Sequence, residues 1–340
     1  MHWTDNGRGV GWVAARRERR CYGPAVVYLM MAISTAVTTA EDALPLHGET
    51  TVRFANKAEA TQAFQRVDRF IRSMSKFDLE SRLDRSPARM SEFLEFSADQ
   101  FVPWTDEQKK QIGPVVESLR KRLDRFNLPL PKTVLLVQTT GKVEGNAAYC
   151  RANAIMLSPR FLRNPRRLES LLAHELFHVL SSHNPELRYR LYRIIGFQSC
   201  PPIPLPEALK ARKITNPDAP ELDCIVKIDV DGKTVPATPF LWAKSAYEPG
   251  QGKTFFNYMQ FRLLVLKLTK DGFRPQLKDG EPWFVSPNNR ADLYWNIGIN
   301  TGYIIHPEEV LADNFRALVM KTPNLPSPRI PEAMLRELQR

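Results

Sequence analysis

The 340-residue chain is expected to adopt an α+β fold, and three features of its pattern say so. Between about residues 57 and 126, apolar residues recur at helical spacing. From 131 to 158 the pattern turns into two short strand-like runs. A long helix, apolar nearly all round, then follows between Asn164-Pro165 and Asn184-Pro185.

Taken in order, residues 41–56 read as an extended or irregular lead-in. In the helical stretch, Ala63, Phe64, Val67, Phe70 and Ile71 share one spacing, and Ile112, Val115, Val116, Leu119, Leu123 and Phe126 another. The latter helix opens after Thr105-Asp106 and closes at Asn127-Leu128-Pro129. Residues 41–130 are therefore expected to be a helical N-terminal subdomain, and residues 131–340 the functional domain. In the latter, 133–138 is one strand, 139–146 a Gly-containing turn, and 147–158 a second strand. Past Pro185 a short helix carries Leu187, Leu191, Ile194 and Ile195 and stops at Gly196. Residues from about 197 to 300 read as a β-rich insertion, Pro-rich over 200–220, with a turn at Asp231-Gly232.

Composition sets the class. Hydrophobic content of 43% and charged content of 25% are those of a globular protein long enough for a full core. The net charge of +11 raises the question of nucleic acid, but the basic residues are scattered and no RNA- or DNA-binding signature appears. Such a balance most often means a solvated basic surface; it also allows attraction to anionic envelope polymers or a membrane surface. Arg16, Arg17, Arg19 and Arg20 precede an apolar run over 23–37, and Thr38-Thr39-Ala40 precedes Glu41-Asp42. Residues 1–40 thus read as a signal peptide cleaved after Ala40, with an uncleaved anchor as the alternative. The mature protein is expected to be exported, periplasmic or secreted. In an oxidising compartment Cys200 and Cys224 could pair across the Pro-rich loop, leaving Cys150 free.

The long helix contains His174-Glu175-Leu176-Phe177-His178, an H-E-x-x-H sequence. Residues four apart lie one turn above each other, so the two imidazoles point the same way and suit a single Zn²⁺. Glu175, between them, is placed to accept a proton from an attacking water. A buried helix must satisfy such polar groups, and a metal satisfies all three together.

Strand, strand, then a helix bearing H-E-x-x-H resembles the zincin metallopeptidases, so the fold is expected to hold a zincin-like catalytic core. The resemblance covers roughly residues 131–182 and 303–320. It implies that 147–157 is an edge to which an extended substrate adds by β-augmentation. A third ligand is needed. His183 follows His178 by five residues rather than six, which fits a helix-end residue better than a ligand. Downstream, Pro307 starts a helix in which Glu309 and Asp313 lie four apart, similar to the E-x-x-x-D helix of the gluzincin (thermolysin-like) branch. By that resemblance Glu309 binds zinc and Asp313 orients a ligating His. Glu308, with Ala312 four residues on, reads as dipole compensation. Glu186 is the fallback ligand. The family also places a Tyr or His to stabilise an oxyanion, for which Tyr303 and His306 are the nearby candidates. The expectation is an exported zinc metallopeptidase acting on a peptide or protein substrate. The alternatives are a non-catalytic envelope protein with a structural metal, or a metal-dependent amidase of cell-wall material. Sequence leaves the oligomeric state open.

Overall fold

A computed structural model describes residues 43–288 and 290–340; the expected signal segment 1–40 lies outside the described residues. Among those described, no helix is long and apolar enough to cross a membrane. The lead-in is more regular than expected: β1 (Ala43–His47) and β2 (Thr50–Phe54) form a hairpin. Gly48, at φ +53°, makes its turn. Next come helices α1 (Lys57–Gln65), α2 (Arg69–Ser73), α3 (Lys76–Leu83), α4 (Met90–Ala98) and α5 (Asp106–Leu123). Asn56, Asp68, Ser75 and Thr105 cap α1, α2, α3 and α5, each accepting a backbone N–H in the first turn.

The hairpin, β3 (Thr133–Gln138), β4 (Tyr149–Arg151) and β5 (Ala154–Leu157) build one mixed sheet in the order β1-β2-β3-β5-β4. β2, β3 and β5 run parallel, while β1 and β4 are antiparallel edges. The continuous apolar run of β3 follows from burial on both faces. Val134 and Leu136 enter the core built with α5 and the motif helix. Leu135 and Val137 enter a second cluster with Phe64, Phe70 and Phe93 of α1, α2 and α4. The expected division at 130/131 is therefore not a domain boundary: both sides share this sheet, and the described residues fall in one compact unit.

A 3-10 turn (Pro159–Arg163) leads into the motif helix α6 (Pro165–His183), followed by α7 (Pro185–Ile194). Gly196, at φ +77°, ends this helical run; a Cβ there would meet the Asn296 side chain at 2.7 Å. The β-rich region then forms an antiparallel sheet from β6 (Phe197–Ser199), β7 (Cys224–Val230), β8 (Lys233–Ala243), β9 (Met259–Thr269) and β10 (Gly272–Pro275), with α8 (Glu207–Lys210) between β6 and β7. A small hairpin, β11 (Leu277–Lys278) with β12 (Glu281–Pro282), precedes β13 (Phe284–Val285), which pairs with β9. Helices α9 (Ala291–Ile297), α10 (Pro307–Val319) and α11 (Arg329–Leu338) complete the fold.

The proposed Cys200–Cys224 bridge is absent; Cys150, Cys200 and Cys224 are free thiols. Register explains it. Cys224 pairs with Ser199, so Cys200 lies one residue out of step, and successive residues of a strand face opposite ways. Cys224 enters the main core, whereas Cys200 packs against the cluster around Ile203 and Phe240.

Candidate metal centre

Helix α6 is fixed at both ends by its own sequence. Asn164 accepts the Arg167 N–H, and Pro165 occupies the first helical position. At the other end the Asn184 amide donates to Leu180 O at 2.7 Å, and Pro185 opens α7. Leu168, Leu172, Leu176, Phe177, Val179 and Leu180 are buried, so the helix is immobilised around its circumference. The stripe Arg167, Leu171, His174 and His178 faces an open cleft of about 730 Å³.

Helix α10 crosses this stripe, locked by Phe315 against Phe177 with ring centroids 5.8 Å apart. That packing brings the first turn of α10 onto the two imidazoles. Glu309 Oε2 lies 3.3 Å from His174 Nε2 and 3.5 Å from His178 Nε2. The opposite nitrogens are held too: His174 Nδ1 is 3.1 Å from Asp313 Oδ1, and His178 Nδ1 is 3.2 Å from Glu308 Oε1. A carboxylate at Nδ1 favours the tautomer with its proton there, leaving the Nε2 lone pair for the cleft. Thr301 donates to the other oxygen of Asp313, and Arg316 Nε lies 3.0 Å from its Oδ1.

Burial and charge act together on these groups. Burial alone would lower the His174 pKa, but the hydrogen bonds to Asp313 and Glu309 raise it to about 9. Burial would likewise push Glu309 up, yet the two imidazoles hold it well below the usual carboxylate range. Glu175 goes the other way: desolvation raises it, against the pull of His178 and His174. Its Oε2 is approached at 3.4 Å by the Cys150 thiol, which also lies 3.2 Å from the Glu175 carbonyl.

Three polar residues to which sequence reasoning gave no part in the site sit here. Glu308 is fully buried and accepts from Tyr192 Oη at 2.6 Å and from Ser181 Oγ, with Arg188 Nε at 3.4 Å. It supports His178 rather than compensating a helix dipole at the surface. Asn216, in the Pro-rich loop, donates through Nδ2 to Glu309 Oε1 at 2.7 Å, fixing which oxygen faces the histidines. Asp218, held by an Asn216 side chain that accepts its N–H, accepts the Cys150 N–H at 2.8 Å. Burial and the neighbouring carboxylates of Glu175 and Glu309 push Asp218 well up. The sequence signal was slight: an Asn-Pro-Asp turn in a stretch read only as proline-rich.

Other expected residues lie elsewhere. His306 is not at the cleft: it caps α10, its Nδ1 accepting the Glu308 N–H at 3.1 Å and its Nε2 facing Cys224 Sγ at 3.7 Å. Burial, with Arg188 nearby, lowers its pKa to about 3. Tyr303 does line the cleft; burial of its hydroxyl and the nearby Glu309 charge raise its pKa. His183 Nδ1 lies 2.8 Å from the Val179 carbonyl at the end of α6. Glu186 is exposed at the start of α7, away from the imidazoles. The segment 147–157 is a hairpin rather than one strand. Its β5 arm is interior, and on the β4 edge Asp218 already occupies the Cys150 amide, so residues 147–148 are the part that faces the cleft.

His174, His178 and Glu309 could hold a cation, since their donor atoms all lie within 4.8 Å of one another. Zinc bonds to N and O of roughly 2.0–2.1 Å imply tetrahedral donor–donor edges of roughly 3.3–3.5 Å. The two separations made by Glu309 Oε2, 3.3 and 3.5 Å, fit that figure. Cys150, Glu175 and Asp218 converge in the same way, but one of the three is an interior thiol whose pKa burial raises well above the ordinary value. Comparison of the chain with protein families, curated proteins and solved structures found no match.

Proposed function

We propose that this protein is a zinc-dependent peptide hydrolase with a zincin-like core. One observation carries the reading. Two Nε2 atoms and one carboxylate oxygen converge at the cleft, while each imidazole is braced at Nδ1 by its own carboxylate. A zinc ion on these three ligands would supply a Lewis acid that acidifies water and polarises a carbonyl.

The chain's own groups then divide the work. Glu175 borders the cleft in a desolvated position that raises its proton affinity, which suits a general base that later returns the proton to a leaving amine. Asn216 and Asp313 hold Glu309 and His174 in one orientation each. Tyr303, which lines the cleft, is the hydroxyl donor available to a developing oxyanion. Residues 147–148 offer the backbone along which an extended substrate would lie.

The test is cleavage of a denatured protein and a mixed peptide library by the full chain loaded with zinc. Cleavage that chelator abolishes and added zinc restores is expected. Stoichiometric zinc binding without cleavage of any member would overturn the hydrolase reading in favour of a structural metal.

A further inference from the structure

Beyond the metal ligands, the cleft carries its charges in separate places: Glu175, Asp218 and Asp313 lie near the histidines, with Arg316 beside Asp313. Arg160 and Arg163, from the 3-10 turn, and Arg167, from the first turn of α6, line the half that runs toward the α6 N-terminus. All three are exposed. Among the described residues none of them has an acidic partner, although Arg160 stacks on the Phe161 ring at 4.6 Å. The nearest acid on that helix, Glu169, is taken on the other side by Arg122 Nε at 2.7 Å and by Ser118. The turn itself is anchored: Leu162 is buried in the core, and the Gln111 side-chain amide donates to its carbonyl. Three guanidinium groups without an acidic partner, two on the anchored turn and one on the first turn of α6, thus line one end of the cleft, where carboxylates could pair with them.

Spacing sets what the site would read. Arg167 lies seven residues before His174 on the same helix face, roughly 10 Å along the axis. An extended peptide advances roughly 3.3 Å per residue, so Arg167 falls opposite a side chain about three residues from the metal. Arg163 and Arg160, on the turn that leads into α6, line the same cleft. We propose that this arm selects peptides bearing Asp or Glu about two to four residues to one side of the bond cleaved. The inference rests on the peptidase reading, and names its substrate class.

Binding, measured separately from turnover, tests it. Fluorescein-labelled peptides with three consecutive Glu near either end, and counterparts with Gln in those places, are titrated by anisotropy into the full chain carrying Glu175→Gln and zinc. The expected result is binding about ten-fold tighter for one Glu peptide than for its Gln counterpart at low salt. The preference should fade between about 50 and about 500 mM salt. The variant R160Q/R163Q/R167Q should bring the ratio close to one. R166Q should leave the ratio as it is, because Arg166 is exposed but does not line the cleft. Equal binding of Glu and Gln peptides, or a Glu preference that survives the triple variant, would overturn the proposal. So would displacement of the peptide by short polyphosphate at a lower concentration than by the Glu peptide itself, since the arm would then be reading a phosphate polymer. Hydrolysis by the unsubstituted protein is scored apart. Cleavage without acidic preference sinks the arm and spares the peptidase; Arg-dependent binding without cleavage does the reverse.

Discussion

Glu308 Oε1 lies 3.2 Å from the Nδ1 of His178, while Glu309, the next residue, reaches the Nε2 of the same ring at 3.5 Å. Adjacent carboxylates thus hold opposite edges of one imidazole. One fixes its tautomer and the other completes the donor set. Glu308→Gln should therefore weaken zinc binding by about 10–100-fold with Glu309 intact. Competition against a chromogenic chelator measures this, and an unchanged affinity would show that Glu308 matters only to the packing of Tyr192 and Ser181.

Glu175→Gln keeps the shape and the neighbours of the proposed base but cannot take a proton. Zinc affinity should stay within about two-fold, because Glu175 is not among the three converging ligands. Turnover of any peptide found to be a substrate should fall by about 10²–10⁴-fold. Undiminished turnover with zinc bound would remove Glu175 from the mechanism.

The α6 side of this site was legible because helical spacing is local: four residues separate His174 from His178, and caps at Asn164 and Asn184 bound the element. The four-residue spacing of Glu309 and Asp313 was local too, but it was the resemblance to an E-x-x-x-D helix that singled the pair out. What sequence could not supply was contact across distance. Glu308 read as dipole compensation until Tyr192 and Arg188 of α7 were seen against it. Asn216 and Asp218 sit in a loop without periodicity, so only an Asn-Pro-Asp turn marked them. The first strands were missed because two five-residue strands, one of them containing Pro45, carry little pattern of their own, and their place in the sheet depends on β3, some eighty residues later.

The cap residue of α10 gives the fold a dependence on acid. His306 is buried and neutral, its pKa lowered from an ordinary 6.5 to about 3 by desolvation and Arg188. Between those values the unfolded chain binds the proton that the folded chain does not. Stability should therefore fall as pH drops below about 6.5 and stop falling, for this group, near 3, with a limiting slope of about 1.4 kcal/mol per pH unit. His306→Asn retains a side chain able to cap the helix and lacks the titration. Urea midpoints of the zinc-free protein and this variant, compared from pH 7 to pH 4, should diverge toward acid. Parallel curves would show that His306 is protonated or solvated in the native state.

The N-terminal helices reach the candidate metal centre through a buried cation. Arg82 of α3, with no exposed side-chain surface, contacts Asp78 Oδ1 at 2.8 Å and both oxygens of Glu144 at 2.7 and 2.8 Å. It also donates to the Thr215 carbonyl at 3.2 Å, while the Thr215 N–H and hydroxyl donate to Asp78 at 3.1 and 2.6 Å. Thr215 is followed by Asn216, whose amide holds Glu309. Arg82→Met fills similar space but strands two carboxylates in the interior, at a cost of about 3–5 kcal/mol. Arg82→Met with Asp78→Asn and Glu144→Gln removes those stranded charges and should recover part of that loss. The single variant should lower the urea midpoint and, by loosening the 215–218 loop, weaken zinc binding as well. If the midpoint drops while zinc affinity holds, the network serves the fold alone and Asn216 is positioned by other contacts.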